Sequence, residues 1–571
     1  MKYSYVQLND LPDEILMIIF KKLPKTEVLY SLLGVNKRLN KILHESVFTN
    51  DLPLLMYTSN GLVYSLPDSI LDRFFSHILP KIHQKIEWLH LESGSMERIL
   101  LATNYPNLYA ISLYNIQPKT AMDLLTNETS VISTLKNQLL SLTIDISTQG
   151  LQGCQSNNNA IIFNLIFAMF TNLQSLNFGR SSLYDERLFF CMTRPTVFST
   201  NLLELHICLE TFYDCLYLLN GHFNQLRTLY VDVGVIFSSN RRVNNTKKLP
   251  TLKCFRLQCN SMTSVYDELV VPLLHRMINL EKLDLYINVG ERKTFFDGND
   301  LKMNIIDHMS QLNKFTFNIR SLSSFYNEIN LPSNENIQKT FRDFNDKQII
   351  YWADYFPERK KGHYRIYSYP YKWKYYDDIT NNFPGEIFKY VRTVSFYDER
   401  RFEDEFFFHL ESLSMERILR VTNYPNLYGI SLHNIQEKTA VDLFTDETSI
   451  IRTLKNQLLS LTTIDISTDR TQHDLINNNA IIFYRIFTMF PNLQYLNFGP
   501  SSIRDEQLSF FFTRLTVIST NLLELHVSLT SFYDCLYLLD GHFNQLHTFY
   551  IDLVIIGYLN RRVNNMKKLP T

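Results

Sequence analysis

The chain has 571 residues, 45% of them hydrophobic, with 56 Lys and Arg against 57 Asp and Glu and a formal net charge of −1. That apolar content can build a large core and excludes bulk disorder, and the balanced charge favours neither nucleic acid nor an anionic membrane as a partner. The opening MKYSYVQLND has no signal-peptide core, no run of about eighteen apolar residues occurs, and the seven cysteines include no C-x-x-C pair, so the expectation is a soluble protein of the cytoplasm or nucleus with reduced thiols and no zinc.

Residues 1–50 form the first expected unit. In LNDLPDEILMIIFKKLPKTEVLYSLLGVNKRLNKI, Pro12 suits a first helical position, where its missing N–H costs nothing. Asp13 and Glu14 suit the positive end of the helix dipole. Ile15, Leu16, Ile18, Ile19 and Phe20 give a broad apolar face; Lys21 and Lys22 fall in the last turn, and Pro24 stops the helix. Thr26 with Glu27 starts a second helix carrying Val28, Leu29, Leu32 and Leu33, and Asn36 can cap a third holding Leu39, Ile42 and Leu43. About forty residues rarely make a self-sufficient core. This unit has more apolar positions than three short helices can bury, so it should lean on the rest of the chain or on another protein.

The run Leu11-Pro12-Asp13-Glu14-Ile15-Leu16, with Ile19-Phe20, Leu23, Leu32, Val35 and Lys37-Arg38-Leu39, resembles the F-box, the adaptor-binding module of substrate receptors in cullin–RING ubiquitin ligases. Leu39 stands where many F-boxes carry Trp. The resemblance implies a three-helix unit that docks a Skp-type adaptor, and through it cullin, by Leu11, Pro12, Ile15, Leu16, Ile19, Phe20 and Leu23. Read without the resemblance, the same residues are a helical cap on the downstream domain.

Residues 51–330 read as a leucine-rich-repeat-like array. A phrase of the form L-x-x-L-x-L, with apolar substitutions, begins at Ile86, Leu108, Leu139, Leu173, Leu202, Leu226, Leu252, Leu280 and Leu312. In a strand, alternate residues of such a phrase point into a core. Helical spacing appears between phrases, as in Ala160–Phe170 and Phe212–Leu219. One strand plus one helix in about 20–30 residues is the signature of leucine-rich repeats. The expected fold class is therefore α/β: a three-helix F-box followed by an irregular, partly duplicated leucine-rich solenoid. A less regular α/β array is the alternative.

Residues 331–408 read as an aromatic-rich connector or insert with one strand phrase, beginning at Val391. Rings from Tyr351 to Tyr376 alternate there with Arg359, Lys360, Lys361, Arg365, Lys372 and Lys374, a mixture that could stack on single-stranded RNA but that more often fills cores and protein interfaces.

Residues 409–571 repeat residues 90–251. Leu91–Leu142 and Leu410–Leu461 differ at about eleven of about fifty positions, and Phe-Tyr-Asp-Cys-Leu-Tyr-Leu-Leu occurs at both Phe212–Leu219 and Phe532–Leu539. The phrase resumes at Leu427, Leu458, Leu493, Leu522 and Leu546. Thr571 aligns with Thr251, which directly precedes the phrase at Leu252, so the second copy reads as truncated and Leu546–Ile551 should lie at an open edge.

No phosphate loop, G-x-S-x-G, H-E-x-x-H or RING-type Cys/His spacing is present, so neither catalytic residues nor a cofactor are expected. Asp185-Glu186 and Asp505-Glu506 read as solvated turns or helix starts, and Arg241-Arg242, Lys247-Lys248, Arg561-Arg562 and Lys567-Lys568 as solvated loops. An F-box before a leucine-rich array resembles the F-box/leucine-rich-repeat family. The resemblance implies a non-enzymatic substrate receptor that raises effective concentration near a charged ubiquitin-conjugating enzyme. Outward strand positions then select Asn177, His206, Tyr230, Arg256, Asp284 and Tyr286 as contacts for an unidentified protein substrate. A scaffold that binds the adaptor without forming a ligase, and an RNA-binding repeat protein, are the rival readings.

Overall fold

The computed structural model describes most of residues 11–555; the longer stretches outside the description are 58–62, 148–157, 181–186, 191–195, 239–245, 291–295, 325–336, 380–390, 397–428, 437–443, 445–457, 468–477, 500–507 and 511–518. The fold is mixed α/β and divides into two units, Met1–Leu322 and Ser323–Thr571.

The first unit opens with α1 (Asp13–Phe20), α2 (Lys25–Leu32) and α3 (Lys37–Leu43). Pro12 is the residue before α1, one position earlier than the sequence suggested, and Pro24 both ends the link from α1 and precedes α2. Asn36 caps α3, its side-chain oxygen accepting the Leu39 N–H at 2.8 Å. Gly34 turns the chain between α2 and α3 at φ +98°, a left-handed conformation that costs a side chain dearly, and its N–H donates to Asn40 Oδ1 at 2.7 Å. Leu16, Phe20, Val28, Leu29, Leu39, Ile42 and Leu43 are buried, and Phe20 meets Phe48 edge-on at 6.5 Å.

The strands that follow are β1 (Asp51–Pro53), β2 (Leu55–Tyr57), β3 (Val63–Ser65), β4 (Trp88–Glu92), β5 (Ala110–Ile116), β6 (Ser141–Ile146), β7 (Ser175–Arg180), β8 (Glu204–Thr211), β9 (Thr228–Val235), β10 (Cys254–Thr263), β11 (Lys282–Val289) and β12 (Lys314–Ser324). β2 and β3 form an antiparallel hairpin. β1 and β4 to β12 form a parallel sheet in which, from β4 onward, neighbours in space are neighbours in the chain. From β4 to β12, each strand starts two residues after the start of an L-x-x-L-x-L phrase.

The shared phrase sets a shared register. Leu142, Leu176, Leu205, Leu229, Phe255, Leu283 and Phe315 lie opposite one another on successive strands, and all are buried. A slip of one residue would turn such a row outward, so burial itself fixes the pairing. Each large apolar side chain so buried contributes about 1.5–3 kcal/mol. Helices Asn158–Met169 and Phe212–Leu218 supply partners for this inward face. Phe163 is the hub, with Phe167, Phe178, Phe190 and Phe223 at 5.2–6.5 Å between ring centroids. Buried Asp214 starts the second helix: it accepts from the Thr211 N–H at 3.1 Å, the Thr211 hydroxyl at 2.7 Å and the Phe190 N–H at 3.2 Å.

The second unit holds β13 (Ile349–Phe356), β14 (Lys361–Ser368), β15 (Tyr375–Ile379), β16 (Thr393–Phe396), β17 (Gly429–Leu432), β18 (Ile435–Gln436), β19 (Ser460–Ile464), β20 (Ile466–Ser467), β21 (Tyr495–Gly499), β22 (Glu524–Ser531) and β23 (Thr548–Ile555). Residues 331–408, expected to carry one strand phrase, contain four strands among the described residues: the antiparallel hairpin β13–β14, then β15 and β16. Their Ile, Tyr and Trp content is that of a half-buried pleated surface, without the leucine phrase that marked the others. A parallel sheet runs β15, β16, β17, β19, β21, β22, β23, and β18 pairs with β20 alone. The repeated sequence rebuilds the same packing: Phe483 stands 5.2, 5.4 and 5.9 Å from Phe487, Phe498 and Phe510. Asp534 takes the place of Asp214, accepting the Phe510 N–H at 2.7 Å. Among the described residues β23 pairs on one side only, with β22.

Candidate functional site

The first candidate surface lies on the N-terminal helices. On α1, Leu16 and Phe20 turn inward, while Ile15, Ile18 and Ile19, at i, i+3 and i+4, turn out. Ile15 is 42% exposed, Ile18 58%, Ile19 37%, Leu23 48% and Val35 60%. Pro12 is also exposed and Leu11 half-buried. Five of the seven expected adaptor contacts therefore reach the surface or its margin, whereas Leu16 and Phe20 support it from beneath. Ile18 and Val35, absent from the expected contacts, are the most exposed of the group. The helical period from Ile15 could have revealed Ile18. Nothing local marks Val35 as outward.

Polar contacts fix this surface on the sheet. Arg38 donates from Nε to Asp13 Oδ1 at 2.6 Å and from Nη2 to the Leu11 carbonyl, which holds the turn into α1. Lys25 Nζ donates to the Asp51 carbonyl at 2.8 Å and pairs with Asp51 Oδ2 at 3.3 Å. His90 Nε2 lies 2.8 Å from Asp51 Oδ1. The His90 hydrogen bond, and the Lys25 charge after it, hold the Asp51 carboxyl below its usual pKa although burial opposes them. Lys85 Nζ donates to the His44 carbonyl at 2.6 Å, and Arg73 stands over the Tyr30 ring at 5.1 Å. The result is an apolar patch on a rigid mount, the kind of surface that marks protein contact.

The second candidate surface is the outward face of β7 to β11. Asn177, His206, Tyr230, Arg256 and Asp284 occupy one cross-strand row. His206 Nε2 is 2.6 Å from Glu204 Oε1, and its ring meets Tyr230 at 4.4 Å. The Arg256 guanidinium lies 4.7 Å from the centre of the same Tyr230 ring, and Lys282 Nζ lies 5.4 Å from it and 3.3 Å from its hydroxyl. Asp284 joins both cations, at 3.2 Å to Arg256 and 3.3 Å to Lys282. Burial works against the Lys282 charge, but Asp284 and Tyr230 outweigh it and raise the lysine pKa. Asp284 and Tyr286 are themselves buried. They anchor the strip, and His206, Tyr230 and Arg256 carry its accessible chemistry. Arg187, which pairs with Asp232 at 3.1 Å beside this strip, was not legible because it lies outside any strand phrase.

The second unit repeats part of this arrangement. His526 Nε2 lies 2.6 Å from Glu524 Oε1, and its ring lies 4.3 Å from Tyr550 and 5.4 Å from Tyr495. In the aromatic–basic stretch, Tyr364, Tyr367, Tyr371 and Tyr376 are buried, and Arg365 lies over Tyr376 at 4.3 Å. Those four rings are closed to a base, whereas Tyr369 of the same stretch is 37% exposed. The sequence features Asp185-Glu186, Asp505-Glu506, Arg241-Arg242, Arg561-Arg562 and Lys567-Lys568 lie outside the described residues.

Among the described residues no group of three or more His, Cys, Asp or Glu is placed to hold a metal ion, and no helix is long and apolar enough to cross a membrane. No protein-family model matches the chain, and no curated protein is significantly similar to it.

Proposed function

We propose that this chain is a substrate receptor of a cullin–RING ubiquitin ligase, with α1 to α3 docking a Skp-type adaptor and the outward sheet face of the first unit holding a protein substrate. The observation that carries the reading is the exposure of Ile15, Ile18 and Ile19 on α1, with Leu23 and Val35 exposed in the turns that follow α1 and α2, in a segment whose sequence has the F-box-like phrase Leu11–Leu16. Such a surface is unfavourable in water and gains about 25 cal/mol per Å² when covered. The receptor performs no bond chemistry; it holds a substrate at high effective concentration. The strip from His206 to Arg256, with its cations over an aromatic ring, suits a mixed polar and aromatic peptide surface.

Affinity purification of the full chain tests this, with adaptor and cullin as the expected companions. Replacing Ile15 and Ile18 by Asp should leave the helices folded, since both face solvent, and should lower adaptor binding by on the order of a hundredfold. A folded double variant that retains adaptor at wild-type levels overturns the assignment. Adaptor without cullin assigns the chain to scaffolding instead.

A further inference from the structure

The outward face of the first unit changes sign along its length. Parallel register sets Glu204 of β8 opposite Thr228 of β9, Thr228 opposite Cys254 of β10, Cys254 opposite Lys282 of β11, and Lys282 opposite Lys314 of β12. With strands about 4.8 Å apart, the acid of this row stands about three strand spacings from the nearer lysine. The adjoining row adds Arg256 on β10, Asp284 on β11 and Thr316 on β12.

Like charges set opposite each other on adjoining strands are unfavourable, and the local carboxylate does not cancel them. Arg256 Nη2 at 3.2 Å and Lys282 Nζ at 3.3 Å converge on a single oxygen, Asp284 Oδ2. Asp284 is only 5% exposed, and its register partner is Thr316 rather than Lys314. Glu281, the acid nearest in sequence, is paired with Lys253 at 2.8 Å. Lys314 is exposed and forms no ion pair among the described residues. Three cations therefore share one enclosed carboxylate, on a chain whose formal net charge is −1.

We propose that the β11–β12 end of this face binds a run of acidic residues in the protein substrate, with Lys314 and Lys282 each taking a carboxylate and Arg256 at the margin. The inference rests on the reading of the outward face as the substrate surface, and it names the substrate's chemistry. Two ammonium groups on separate strands are point charges that suit separate carboxylates. Arg256 is already committed to the Tyr230 ring and to Asp284, so it offers no open fork to a phosphoryl group. A nucleobase would have to displace Arg256, Lys282 or His206 from Tyr230, and Glu204 repels a phosphate backbone that continues along the face.

The probe is fluorescein-labelled hexaglutamate, titrated into the full chain by anisotropy at about 50 mM salt, where screening is weak. Saturable binding below about 1 mM is expected for it and not for labelled hexaglutamine. Lys314→Glu should weaken binding by about tenfold or more, with the melting temperature unchanged or raised, because the new carboxylate faces Lys282. Lys282→Met should weaken it by about three- to tenfold. Lys119→Glu makes the same charge change at an exposed position of the helix Pro118–Thr126 and should leave binding unchanged. Circular dichroism verifies that the variants keep their fold. Absence of saturable binding, equal affinity for hexaglutamine, or equal loss in Lys119→Glu and Lys314→Glu overturns the proposal. So does tighter binding of a peptide carrying three phosphoserines, which assigns the site to phosphoryl groups, or of octauridylate, which assigns it to RNA. Adaptor capture by the same preparations keeps the two readings apart: a chain that captures adaptor but not hexaglutamate loses this inference alone, and one that binds hexaglutamate through Lys314 without adaptor loses the ligase reading alone.

Discussion

Leu229→Ala measures how far the in-register column holds the first unit together. Leu229 is 1% exposed and lies between Leu205 on β8 and Phe255 on β10. Truncation forfeits the burial of its side chain, and neighbours on two hydrogen-bonded strands cannot move in to fill the space. Leu→Ala at sites of this kind costs about 2–5 kcal/mol. A value of about 3 kcal/mol corresponds to about a 150-fold increase in the opening equilibrium at 25 °C. Hydrogen exchange of the full chain, read by mass spectrometry on peptides from β8, β9 and β10, should show protection falling by that factor. Phe549→Ala is the control. It occupies the same phrase position in β23, but it is only half-buried and among the described residues has a strand neighbour, Leu525, on one side, so its effect on β22 and β23 should be several times smaller in free energy. A loss of protection below about threefold at Leu229→Ala, or equal costs at the two positions, would refute the column as the source of stability.

Asp214→Ala removes a buried carboxylate that accepts three hydrogen bonds, and should destabilise the first unit by about 2–4 kcal/mol, seen as a melting temperature lower by about 4 °C or more. An unchanged melting temperature would contradict it. Burial pushes the Cys215 thiol up to about 12 and the Cys259 thiol up to about 11, so both should resist iodoacetamide at pH 8 in the native chain and react after unfolding; alkylation of either in native protein within minutes, mapped by mass spectrometry, would count against this. The Asp51 carboxyl titrates lower in the folded state than in the unfolded one. Its stabilising contribution is therefore complete above the unfolded pKa and is lost as pH falls through the folded pKa. Asp51→Asn should accordingly be less stable than wild type at neutral pH, with the gap closing in acid in urea titrations; a gap independent of pH would argue against the Lys25–Asp51–His90 link.

The sequence by itself determined where strands begin. Every expected phrase start, from Ile86 to Leu546, precedes a strand by two residues, because alternation of apolar and polar residues is a local property of a pleated chain. The Asn36 cap was equally local, since a capping side chain needs only the backbone three residues on. The facing of α1 was not. Six of its residues are apolar in sequence, and only tertiary packing, with Phe20 against Phe48, decides that Leu16 and Phe20 go inside while Met17 is half-buried and Ile15, Ile18 and Ile19 remain outside. On the sheet, alternation correctly placed Asn177, His206, Tyr230, Arg256 and Asp284 on one face. It could not tell that two cations from β10 and β11 would enclose Asp284 and leave His206, Tyr230 and Arg256 as the accessible groups. The aromatic stretch from Tyr364 to Tyr376 shows the same division. Its residues suit either a core or a binding surface, and the choice between them rests on neighbours distant in sequence, which no local pattern records.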